Sequence, residues 1–117
     1  MNKLDIRDKA EILKILGHPT RLLILEELAE GAKCVTDIQD LLDIEQSNLS
    51  QHLSVLRRLK IIDFYEDGAL RCYYITRPKM ADSLFMFISG NYPVVRRSCE
   101  EVRKESERRQ TKTATRK

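Results

Sequence analysis

Long apolar runs are missing from this 117-residue chain. No stretch approaches the roughly 18 apolar residues that a membrane helix needs. The start, MNKLDIRDKAEILK, is charged and amphipathic and has no apolar leader core, so a cytoplasmic protein without membrane contact is expected. Cysteine is scarce. Three widely spaced thiols in such a chain predict no disulfide framework. A catalytic constellation is missing too: there is no Gly-rich phosphate loop, carboxylate dyad or nucleophile–base pair. Ser50 and His52 lie two apart on a helix and face different ways, so no enzyme is expected. Net charge is weak evidence. The +3 balance resides in the tail TKTATRK, and the remaining body has equal numbers of acids and bases.

Glycine and proline are few, and they fall at breaks. Residues 5–16 read as a first helix with Ile6, Ala10 and Leu13 on one face, stopped by Gly17. Pro19 suits the first turn of a second helix that ends at Gly31. Its Leu22, Leu23, Ile24, Leu25 and Leu28 make it apolar nearly all round, hence central. His18 reads as a turn residue or helix cap.

Residues 36–60 read as two helices joined by a tight turn. Thr36 and Gln39 have capping-box spacing. Ile38, Leu41 and Leu42 form one apolar face. Asp43–Gln46 make the turn, Ile44 plugs the gap, and Ser47 suits an N-cap. Leu49, Leu53 and Leu56 form the buried stripe of the second helix. Asn48, Ser50, Gln51, His52, Ser54, Arg57 and Arg58 then point outward. Amides such as Asn48 and Gln51 pair bidentately with adenine, and Ser50 bonds bases or phosphates. Arg57, Arg58 and Lys60, with no acid between Gln46 and Lys60, suit a phosphate backbone. An amphipathic hairpin with a solvated face is the bland alternative. Against it, the run Gln46–His52 holds mediocre helix formers where a solvated face usually carries Glu, Lys and Ala.

After Lys60 the period changes. Segments 61–66 and 70–76 are β-rich, and Asp67-Gly68 is a hairpin signal. A hairpin placed directly after a helix-turn-helix is a wing, with Arg71 its best-placed cation. Thr76 and Pro78 open another helix, with Met80, Leu84 and Phe87 in register, broken at Gly90–Pro93. A last helix is expected from Val94 to about Arg109, with a thin stripe of Val95, Cys99 and Val102 that suits packing on a partner chain. The tail after Gln110 is expected to be disordered.

This order predicts a mainly α fold with a β-hairpin wing, a winged helix-turn-helix. The domain reading is 1–92 for the winged unit, 93–110 for a C-terminal contact helix and 111–117 for a basic tail. Leu16–Leu25, LGHPTRLLIL, resembles the L-x-[DH]-P-[TV]-R-L-x-I-L opening of the ArsR/SmtB repressors. Gln46–Arg57, QSNLSQHLSVLR, resembles that family's recognition helix, and Gly68 with Tyr73-Tyr74 resembles its wing. The resemblance spans about residues 8–89. It implies a homodimer paired through the first and last helices, bound to double-stranded operator DNA and repressing until an inducer binds. The implied DNA-binding residues are Gln46, Ser47, Asn48, Ser50, Gln51, His52, Arg57, Arg58, Gly68 and Arg71.

Ala32–Ile38 lies where metal-sensing members carry C-V-C-D-L. Cys34 matches the first thiol, Thr36 replaces the second, and Gln39 stands at a third. One thiolate holds no soft metal tightly. No histidine follows His52, so the family's C-terminal zinc site is absent. Cys34 and Cys99 are separated much like the thiol pair of persulfide- and redox-sensing members. They are the candidate sensors, for arsenite or a soft metal, or for a persulfide or oxidant. Cys34 lies near a helix start that favours a thiolate. Cys72 reads as a small buried residue. A regulator without a thiol sensor, or a winged helix used to bind protein, stands as the alternative.

Overall fold

The computed structural model describes residues 4–115, with side chains as far as Gln110. Helix α1 (Ile6–Leu16) is opened by a reciprocal cap. Asp5 accepts from the Asp8 N–H at 2.8 Å, and Asp8 accepts from the Asp5 N–H at 3.3 Å. Helix α2 (Pro19–Ala29) follows. His18 Nδ1 accepts from the Thr20 N–H at 3.1 Å, and Pro19 takes the first turn, where no N–H is needed. His18 is the helix cap that the sequence reading allowed.

A two-residue strand, β1 (Lys33–Cys34), leads directly into α3 (Val35–Leu42). Asp43, at φ 50°, ends α3 in the left-handed region that Asp tolerates. Helix α4 (Gln46–Arg58) crosses the core, and strands β2 (Ile62–Asp67) and β3 (Leu70–Ile75) form the hairpin. Helix α5 (Pro78–Ser89) packs back, and α6 (Cys99–Thr115) closes the chain. The sheet order is β1-β3-β2, antiparallel throughout, with Cys34 opposite Cys72 and Tyr65 opposite Cys72 on its other side.

The core joins α2, α3, α4 and the sheet. Ile24, Leu25, Ile38, Leu49, Leu53, Leu56, Ile61 and Ile62 are fully buried. The leucine stripe of α4 and the central place of α2 are as expected, and Ile44 packs against this core. Burial of α4's three leucines fixes the helix's rotation, and therefore which residues it turns outward.

Several local readings are corrected. The Ile6–Leu13 face of α1 is exposed, and Leu16 and Ile12 face the core instead. A helix face chosen by spacing alone does not say which side has a neighbour. Cys34, not Thr36, precedes α3, so the Thr36–Gln39 box does not form. Glu45 precedes α4, which puts Ser47 inside the first turn. Leu41 and Phe87 are exposed. The hairpin loop is Gly68-Ala69, since Asp67 still pairs with Leu70, and Gly68 supplies the positive φ of 63°. Residues 91–98 carry no regular structure. The last helix starts at Cys99 because the Ser98 hydroxyl accepts from the Glu101 N–H at 3.2 Å and caps it. Its backbone runs to Thr115, so the tail expected to be disordered is helical that far, and Arg116 and Lys117 lie outside the described residues.

Candidate nucleic-acid interface

With Leu49, Leu53 and Leu56 buried, α4 turns Gln46, Ser47, Asn48, Ser50, Gln51 and Ser54 to solvent. Among the described residues, the side chains of Asn48, Ser50 and Gln51 make no hydrogen bond within the protein. Their donors and acceptors are available to base edges. At the other end of α4, Arg57, Arg58 and Lys60, joined by Arg77, line a groove of about 590 Å³ at the base of the wing.

Arg57 is held in place. Its Nε donates to Asp63 Oδ1 at 3.0 Å, and its guanidinium sits 4.4 Å from the centre of the Phe64 ring. Arg71, from β3, lies 4.4 Å from the same ring. Phe64 thus joins one cation of the recognition helix to one of the wing. The Phe64 N–H and the Arg57 guanidinium together hold the Asp63 carboxyl below its ordinary range. Among the described residues Arg58 has no such partner, and its side chain is exposed. Gly68 marks the exposed tip of the wing. The sequence reading missed Asp63 and Phe64. Their signal, an acid and an aromatic six and seven positions beyond Arg57, is not periodic in a helix and becomes meaningful only once the strand folds back.

His52 departs from its expected outward place. It is half-buried against α2, where its Nδ1 accepts from Arg21 Nε at 3.3 Å and its ring lies 4.6 Å from that of His18. Arg21 also donates to the Ile15 carbonyl at 3.1 Å. Burial first, then the charges of His18 and Arg21, lower the His52 pKa below its ordinary value. The neutral ring is the form that accepts Arg21's hydrogen bond. His52 here docks α4 onto α2.

The thiols are also rearranged. Cys34 is joined to Cys72 in a disulfide across β1 and β3, while Cys99 is free and exposed at the start of α6. This corrects the expectation that no disulfide forms and that Cys72 is merely a buried small residue. Within one chain it is Cys72, not Cys99, that meets Cys34. The reason is the short strand β1, too brief to show as a periodic pattern. Among the described residues, no three His, Cys, Asp or Glu side chains converge to hold a metal ion.

A recognition helix packed behind an initial helix, followed by a β-hairpin wing that carries Arg71, defines a winged helix-turn-helix DNA-binding regulator. Residues 18–63 match the family described as bacterial regulatory protein, arsR family. An uncharacterised HTH-type transcriptional regulator of Methanocaldococcus jannaschii is 40% identical over 74 residues, covering 62% of this chain and 83% of that protein. A crystal structure of a Mycobacterium tuberculosis homologue superposes with a TM-score of 0.69 at 32% identity, covering 92% of this chain and 98% of the other. The transcriptional repressor BigR of Xylella fastidiosa superposes with a TM-score of 0.61 at 28% identity, covering 75% and 91%. The chain belongs to the arsR family of bacterial regulatory proteins: it is a DNA-binding transcriptional regulator and not an enzyme.

Proposed function

We propose that two copies of this chain form a homodimeric repressor in the cytoplasm that binds an operator duplex and is released by a thiol-reactive inducer. One observation carries the DNA-binding part. Helix α4 is anchored by three leucines at 1% exposure or less, and it presents Asn48, Ser50 and Gln51 outward with no hydrogen-bond partner among the described residues. Asn48 and Gln51 read base edges, with Gln46, Ser47 and Ser50 beside them. Arg57, Arg58, Arg71 and the wing tip at Gly68 meet phosphates.

Dimer formation is supported by apolar surface left uncovered in one chain. Ile6 and Leu13 of α1 are exposed, and so are Val94, Val95 and Val102 around α6. Ile6 and Leu13 lie on the first helix, Val102 lies on the last, and Val94 and Val95 lie in the irregular segment that leads into it. Pairing there sets two α4 helices about 34–36 Å apart, one turn of duplex, and predicts a palindromic operator.

Cys34, at the entrance of the helix-turn-helix, is the thiol through which the inducer acts, and exposed Cys99 is a second thiol open to it. The pairing of Cys34 with Cys72 disfavours a metalloid, which asks for three thiolates, and favours a reactive sulfur nucleophile that opens the pair at Cys34.

The test is selection of a duplex from a random pool, followed by affinity measurement. Asn48→Ala and Gln51→Ala should each cost about 1–3 kcal/mol on the selected duplex and relax preference at single base pairs. If both variants bind every duplex as the parent does, α4 is not the reading element.

A further inference from the structure

Three observations converge on the Cys34–Cys72 link. First, it encloses the DNA-reading unit. The two sulfurs are 38 positions apart, and between them lie α3, α4, β2 and the hairpin turn. Second, little else ties that end to the wing, since Lys33 is anchored on the α2 side, donating to the Glu27 carbonyl at 2.6 Å and pairing with Glu27 and Glu30. Strand β1 has two residues and two paired positions, Lys33 with Tyr73 and Cys34 with Cys72. Cys34 also precedes α3 without making a side-chain cap. Third, the two sulfurs differ in access. Cys34 is half-buried at the surface, whereas Cys72 is 2% exposed. Arg71, the wing cation stacked on Phe64, is the neighbour of Cys72, so the link sits one residue from a DNA-facing side chain.

We propose that Cys34 and Cys72 are a reversible redox site whose closed form locks the wing onto the helix-turn-helix and raises affinity for DNA. The reactant class is a small disulfide. The Cys34 thiolate attacks one sulfur of R–S–S–R, forming a mixed disulfide and expelling RS⁻. The Cys72 thiolate then attacks the Cys34 sulfur, forming the Cys34–Cys72 bond and expelling a second RS⁻. The two protons lost by the protein thiols go to the two RS⁻ groups, and the two electrons go to the small disulfide. A small thiol reverses both steps, entering at Cys34 because Cys72 is shielded. Opening the link leaves β1 held to β3 by its backbone pairing alone, so the wing and the start of α3 lose their fixed relation. A loosened reading surface binds more weakly because its ordering must be supplied on binding.

The DNA half of this inference rests on the proposed function, and the redox half does not. The experiment uses the full chain equilibrated over a series of reduced-to-oxidised glutathione ratios. Alkylation followed by mass spectrometry should count three free thiols per chain at the reducing end and one at the oxidising end, with the Cys34 and Cys72 peptides joined. Hydrogen exchange of the amides of residues 70–75 should speed up over the same ratios. Affinity for the selected duplex should fall about three- to tenfold on reduction. Cys72→Ala, an apolar small residue at a buried position, should keep the fold by circular dichroism and hold the weaker affinity at every ratio. Three free thiols at all ratios, or a Cys34–Cys99 crosslink between chains on a non-reducing gel, overturns the site. Equal affinity at both ends, with thiol counts changing as stated, overturns the switch. Thiol counts and exchange that change as stated in a protein that binds no duplex at all support the redox site and refute the DNA-binding reading instead.

Discussion

Removing Arg58 should change how DNA binding responds to salt, and the structure sets the size of that change. Arg58 is exposed near the end of α4 and, unlike Arg57, has no acid or ring to hold it among the described residues. Its charge is therefore fully available to a phosphate. Each phosphate neutralised contributes about 0.9 to the slope of log affinity against log salt. A homodimer engages two copies, so Arg58→Ala should reduce the slope by about 1.8. Over a fourfold rise in salt, from roughly 0.1 to 0.4 M, the parent should lose about 12-fold more affinity than the variant. A single engaged recognition helix would give a slope change of about 0.9 and a difference of about 3.5-fold, so the same titration separates the dimer from the monomer. Fluorescence anisotropy on the selected duplex and on a random one measures both. The loss should be similar on the two duplexes, since phosphate contacts carry no sequence information. Arg58→Lys, which keeps the charge, should keep the slope. An unchanged slope for Arg58→Ala, or a loss confined to the selected duplex, would refute the assignment of Arg58 to the backbone.

Other outcomes follow from the fold. Leu53→Ala empties a fully buried position in the stripe that sets α4's rotation, and should cost about 2–5 kcal/mol by urea denaturation; a cost under about 1 kcal/mol would contradict its place in the core. Lys60, at φ 61°, occupies a left-handed position between α4 and β2, pinned by Thr76, whose hydroxyl donates to the Lys60 carbonyl at 2.7 Å. Lys60→Gly should therefore stabilise by about 0.5–1 kcal/mol, and a lowered melting temperature would argue against strain there. The His52 pKa is lowered on folding from its ordinary value of 6.5. The unfolded chain then binds more protons between the folded value and 6.5, so this stability is present above about pH 6.5 and lost as pH falls through the folded value. His52→Gln, which keeps an acceptor for Arg21, should lose less stability than the parent between roughly pH 7.5 and pH 5; identical pH profiles would remove His52 from the account. Ser98→Ala should shorten α6 at its start and cost about 0.5–2 kcal/mol of helix stability, read by circular dichroism.

The sequence by itself determined the order of elements, the leucine stripe of α4 and hence its outward Asn48, Ser50 and Gln51. These depend on periodicity and on breaks at Gly and Pro, which act over one or two helical turns and are visible in any short window. The caps at Asp5 and Ser98 were also written locally, although Val94 was read as the start of the last helix ahead of Ser98. Tertiary structure alone decided the rest. Which face of α1 meets the core depends on where α2 lies. His52 turns inward because α2 brings Arg21 and His18 to it from 31 and 34 positions away. Phe64 gathers Arg57 and Arg71 because the hairpin folds back beside α4. Cys34 meets Cys72 because a two-residue strand joins the sheet, a pairing set by backbone hydrogen bonds that leave no trace in hydrophobic pattern.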